Sequence, residues 1–209
     1  KVRGNNLPDW CQAGSSNKYV QYYPTRGSSR QASYYDPATE DFGLIDTCFG
    51  THHLQFGFSE DRMLYFSGGG DVIGWLNTRQ YDRTGDEQLS QGWCPMVVDT
   101  NGDGAITKPW NQPVGPLRSE NEGGGGEQLG EVNLSLDTRM SPGSYGIIVD
   151  PVDNVAWGVG TEFPGRIYRL DIGANPPETC LTEVYELPVI NGDIQGFGPR
   201  GLDVDNNGV

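Results

Sequence analysis

The stretch Ser144-Tyr145-Gly146-Ile147-Ile148-Val149-Asp150-Pro151-Val152-Asp153-Asn154-Val155-Ala156-Trp157 reads as a β-hairpin. A short apolar run meets a cluster of Asp, Pro and Asn, and a second apolar run ends on Trp157. Asp and Pro start a turn because Pro presets φ and Asp bonds to its own backbone two residues on. Two further stretches are variants of the same pattern. One is His53-Leu54-Gln55-Phe56 running to Leu64-Tyr65-Phe66-Ser67. The other is Arg200-Gly201-Leu202-Asp203-Val204-Asp205 running to Gly208-Val209, and it ends where a second strand would begin. Hairpins recurring in this way are the signature of a β-propeller, in which each blade is one supersecondary unit.

Working outward, Gln31–Asp46 reads as another hairpin about the turn Asp36-Pro37-Ala38-Thr39, with the form of the outer strands of a blade. Residues 1–30 read as loop with one strand at Tyr19–Tyr23. Strands are also expected near 71–77, and at Arg166–Asp171 and Glu183–Leu187. Residues 79–140 interrupt the repeat as an insertion that carries an Asp-rich loop and the Gly123–Gly126 tip. The fold class expected is therefore all-β: residues 1–209 form one propeller segment, roughly three blades of the four to eight usual in such folds. The remaining blades are expected on the same longer polypeptide, and the absence of an initial Met at Lys1 reads as a processed or trimmed N-terminus. No helix longer than about two turns is expected, because Gly, Pro and Asx residues recur too often.

Composition excludes some partners. Lys and Arg number 14 against 28 Asp and Glu, a net charge of -14. Such a surface repels phosphate backbones, so nucleic acid is not an expected partner, whereas cations are attracted. No apolar run has the length of a membrane span. Cys11, Cys48, Cys94 and Cys180 are widely spaced with no C-x-x-C, which removes zinc-ribbon and haem-attachment readings. Two intrachain disulfides in an oxidising compartment are expected, secreted or periplasmic, with Cys94 tied to Cys48 or Cys11.

The sharpest local motif is Asp99-Thr100-Asn101-Gly102-Asp103-Gly104-Ala105-Ile106-Thr107. Oxygen side chains at loop positions one, three and five, Gly at six and an apolar residue at eight match the first half of a calcium loop. Asp99, Asn101, Asp103 and the Ala105 carbonyl are the candidate calcium ligands. The twelfth position is Trp110 rather than Glu, so the last carboxylate must come from elsewhere, with Asp82, Asp86 and Glu87 as candidates. An Asx-rich turn without metal is the competing reading. The similar run Asp203–Gly208 reads as a hairpin turn.

Aligning the three hairpins puts His53, Tyr145 and Arg200 in one column just before the innermost strand. In a propeller one column is one layer of the central channel. These three residues are the candidate catalytic group: a base or metal ligand, a hydrogen-bond donor and an anion clamp. No phosphate-loop, nucleophile-elbow or H-E-x-x-H motif accompanies them.

The repeat resembles that of the streptogramin lyase (virginiamycin B lyase-like) propellers, roughly P-[HYR]-G-[IL]-x-x-D-x-x-G-x-[VIL]-W. It is carried here by Ser144-Tyr145-Gly146-Ile147 with Asp150 and Val155-Ala156-Trp157, and by Pro199-Arg200-Gly201-Leu202 with Asp205 and Gly208-Val209. The resemblance covers less than half the chain. It implies a seven-bladed fold and a metal-assisted elimination that opens a cyclic depsipeptide, with His and Glu at the channel. His53 sits on the matching His position. Where that family typically has Glu, this chain has Gly68 and Gly158, with Glu162 displaced. Three functions follow as expectations: a calcium-stabilised module that binds a ligand or protein partner, a metal-dependent lyase or hydrolase, or a structural subunit of an extracellular assembly.

Overall fold

The computed structural model describes residues 7–25, 31–68, 72–111, 133–140, 144–161, 163, 165–193 and 196–209. Within them the chain is mostly β-sheet. The strands are β1 Gln31–Asp36, β2 Asp41–Asp46, β3 His53–Phe56, β4 Met63–Ser67, β5 Val72–Asn77, β6 Gln91–Pro95, β7 Val97–Val98, β8 Thr138–Arg139, β9 Ser144–Val149, β10 Ala156–Gly160, β11 Arg166–Asp171 and β12 Leu181–Glu186. Two short α-helices, α1 Lys18–Tyr22 and α2 Thr78–Thr84, and a 3-10 turn at Asp9–Cys11 accompany them.

The strands form three sheets. β1 and β2 pair alone, β3-β4-β5-β6 form a four-stranded meander, and a six-stranded sheet runs β8-β7-β12-β11-β10-β9. The two quoted hairpins are present in register, with Leu54 opposite Phe66 in one and Trp157 opposite Ile148 in the other. The sheets are open, and the described strands do not close into a ring.

Local chemistry accounts for where the expectations and the structure part. Residues 18–22 are helix rather than strand, because the Asn17 side chain accepts the Tyr19 amide and caps the first turn. Gln91–Pro95, inside the segment read as an interruption, is the fourth strand of the first meander, entirely buried against β5. The hairpin β1–β2 does not join either larger sheet. One pairing, β12 with β7, is parallel where antiparallel sheets were expected. The Gly123–Gly126 tip lies outside the described residues.

Apolar packing joins these sheets. Met63, Tyr65, Ile73, Trp75 and Cys94 on one face of the first meander meet Ile147, Val149, Ala156, Tyr168 and Leu170 of the six-stranded sheet in one core. The other face of the first meander packs Leu64, Phe66, Val72, Leu76 and Trp93 against the N-terminal segment, through Val20, Ile45 and Phe49. Each buried side chain of this size contributes about 1.5–3 kcal/mol. Two disulfides staple the same contacts. Cys11–Cys48 ties the N-terminal segment to the residues after β2, and Cys94–Cys180 ties β6 to the entry of β12. Cys94 thus pairs with neither Cys48 nor Cys11. The core brings β6 beside the second sheet instead, so Cys180 is the thiol within reach.

Edge strand β9 lies beside β3 and β4. The segment from Arg200 also approaches β9, so close that a Cβ at Gly146 would stand 2.5 Å from the Arg200 carbonyl oxygen. Glycine at this position permits the approach. The segment ends in a turn in which the Asp205 carboxylate accepts the Asn207 and Val209 amides. These bonds favour the charged form and hold the Asp205 carboxyl below its ordinary value.

Candidate functional site

β3, β9 and the segment from Arg200 bring the three residues of the sequence column together. The Tyr145 ring lies 4.6 Å from the His53 ring, centroid to centroid, and the Arg200 guanidinium stands 5.0 Å over the same ring. His52, which the column omitted, joins them. It stacks on His53 at 4.5 Å and meets Tyr145 edge-on at 4.7 Å.

The strands fix this arrangement. The His52 amide donates to the Ser67 carbonyl, which seats the His52–His53 pair at the end of β3. The Ser67 hydroxyl in turn donates to the Tyr145 carbonyl, linking β4 to β9 directly behind the rings. His53 and Tyr145 are partly buried, whereas His52 and Arg200 are exposed. The Nε2 of His53 is buried and has no hydrogen-bond partner among the described residues. A buried polar nitrogen left in this state is unfavourable unless a ligand or water meets it. Arg200 has the Tyr145 ring as its neighbour and makes no ion pair among the described residues.

The site therefore offers a cation, two imidazoles and a phenol at one strand end of a strongly acidic protein. Geometry of this kind suits an anionic or polar group, with charge-assisted bonds from Arg200 and a nitrogen of His53. The two glycines at the expected Glu positions leave no room for a side chain. A Cβ at Gly158 would lie 2.2 Å from the Tyr168 hydroxyl, and one at Gly68 would lie 2.9 Å from the Gly50 Cα. Glu162 lies outside the described residues.

The 99–107 loop is a run of Asx-type turns in which side-chain oxygens accept the loop's own amides. Asp99 accepts the amides of Gly102 at 2.7 Å and of Gly104 at 2.8 Å. Asn101 accepts from Asp103, and Asp103 from Ala105, both at 2.9 Å. Gly102 and Gly104 take φ of +76° and +80°, a region that other residues enter only with strain. Ile106 is buried beneath the loop, and its carbonyl accepts the Tyr22 hydroxyl.

Among the described residues no group of three or more His, Cys, Asp and Glu side chains stands together as a ready metal cluster. Of the candidate donors, Asp86 spends a carboxylate oxygen on the Leu89 amide. The carboxylate that does touch the loop is Asp137, which accepts the Thr107 amide at 2.7 Å. Sequence reasoning passed over Asp137 because it lies thirty residues downstream with no motif around it.

Compared with known proteins, the chain matches no protein-family model, no curated protein and no solved structure. No helix among the described residues is long and apolar enough to cross a membrane.

Proposed function

We propose that the chain forms blades of a calcium-stabilised, secreted or periplasmic β-propeller. In this reading it binds a small anionic ligand, by its carboxylate or phosphate group, at His52, His53, Tyr145 and Arg200. The propeller reading is supported by the four-stranded meander β3–β6 and by the antiparallel run β9–β12 within the six-stranded sheet, with edge strands β3 and β9 in contact. The close approach of the Arg200 main chain to Gly146 of β9 is consistent with a further blade there. The two disulfides fit an oxidising compartment. Calcium enters this reading through Asp99, Asn101, Asp103 and the Ala105 carbonyl.

The observation that carries the binding role is that Arg200, without an ion pair among the described residues, and the buried Nε2 of His53, without a hydrogen-bond partner among them, both flank the Tyr145 ring. Binding is preferred to the lyase or hydrolase reading because Gly68 and Gly158 stand where the resembling family carries Glu and have no room for a side chain. Calorimetric titration with inorganic phosphate and with acetate, against a choline control, tests it. Saturable binding of an anion is expected, weakened about tenfold or more by Arg200→Ala or His53→Ala, the scale of a lost hydrogen bond to a charged group. Binding that both variants leave unchanged, or no binding of either anion, would sink the proposal.

A further inference from the structure

The structure assigns to Asp137 the carboxylate that the calcium loop lacks at its twelfth position; this rests on the calcium reading of residues 99–107. Asp137 is fully buried, at 0% exposure. Two bonds hold it against the end of the loop. Its Oδ2 accepts the amide of Thr107, the ninth loop residue, and its main-chain carbonyl accepts the Asn111 amide. Its Oδ1 is buried with no hydrogen-bond partner among the described residues. No Lys or Arg pairs with it among the described residues.

A buried carboxylate in this state is strongly disfavoured unless a cation meets it. The Thr107 bond secures one oxygen at the loop and leaves the other free to coordinate. Asp99, Asn101 and Asp103 already coil about their own amides. Two carboxylates, one amide oxygen and one carbonyl fall short of the six to eight hard oxygens calcium takes, ~2.3–2.6 Å away. Asp137 adds one or two more and a third negative charge, with waters completing the shell. As the side chains stand, no three of the described acidic groups share a centre. Ion entry therefore draws the loop onto Asp137, which is already anchored.

The test compares the full chain with Asp137→Asn and Asp99→Asn, each stripped with chelator and titrated with calcium by calorimetry and thermal melting. The Asp137→Asn change keeps a side-chain oxygen for the Thr107 amide, so the fold is retained. The wild-type chain is expected to bind one calcium and melt higher in its presence, and Asp99→Asn to lose both effects. Asp137→Asn is expected to bind at least about tenfold more weakly, since ligand charge sets calcium affinity. In chelator it should melt no lower than wild type, because the Asn oxygen keeps the bond from the Thr107 amide. Unchanged calcium affinity in Asp137→Asn would overturn the assignment and leave the calcium loop standing. A melt well below wild type in chelator would also overturn it, showing a structural role. No calcium binding by the wild-type chain would remove the calcium reading and this inference together.

Discussion

Tyr145 touches His52, His53 and Arg200 because three backbone segments end at the same level beside it. The column of the hairpin alignment predicted this meeting for three of the four residues. His52 was not legible, since a residue one place before a strand belongs to no column until the strand's end is fixed by the Ser67 bond. Asp137 escaped for a related reason: its partner is a backbone amide, which leaves no mark in sequence. The same scale offers a packing prediction at Gly158. There the Tyr168 ring, 1% exposed, crosses the backbone with its hydroxyl bonded to Ser144. A methyl group at 158 would fall 2.2 Å from that hydroxyl, so either the ring or β10 must shift. Gly158→Ala should cost about 1–3 kcal/mol, the usual penalty of overpacking a filled core. Urea unfolding that gives equal stabilities would show that the ring has room to move.

Elements whose cause is local were readable, and those whose cause is distant were not. β3, β4, β9 and β10 announce themselves because apolar runs flank Asx and Gly turns, and both hairpins form in the expected place. β6 was missed because Pro95 and Cys94 look like the edge of a loop, although the strand lies buried against β5. The parallel contact of β12 with β7 joins Thr182 to Val98 across a long separation, and no local pattern encodes it. Helix α2 shows the opposite case, a short element fixed by its ends. The Asn77 side chain accepts the Gln80 amide at 2.8 Å, and Gly85 closes the last turn in the left-handed region. With none of its own residues buried, α2 depends on those caps. Asn77→Ala should therefore cost about 1 kcal/mol. Faster hydrogen exchange should be confined to residues 78–84, and unchanged exchange there would mean that packing against β4 and β5 holds the helix instead.

The whole molecule is held by two apolar cores and two disulfides beneath a surface with a net charge of -14. Tyr19 sits at the junction of both cores, its ring 5.6 Å from Trp75 and 5.2 Å from Trp93. Tyr65 lies between the two sheets. Burial pushes each phenol from 10.0 up to about 12, with Glu178 adding to the effect at Tyr19 and Asp61 and Asp171 at Tyr65. The phenols stay neutral in the folded chain while the unfolded chain ionises first. The resulting stability is whole below pH 10, declines as pH rises above it, and is gone once the folded chain itself ionises near pH 12. Alkaline unfolding should accordingly begin above pH 10, with tyrosinate absorbance from these two groups appearing together with loss of the fold rather than before it. Replacing Tyr65 by Phe removes one of these contributions without emptying the core, so its alkaline midpoint should move upward. An unmoved midpoint, or early ionisation of all ten tyrosines in the folded chain, would mean that water reaches these rings and that the two sheets do not pack as described.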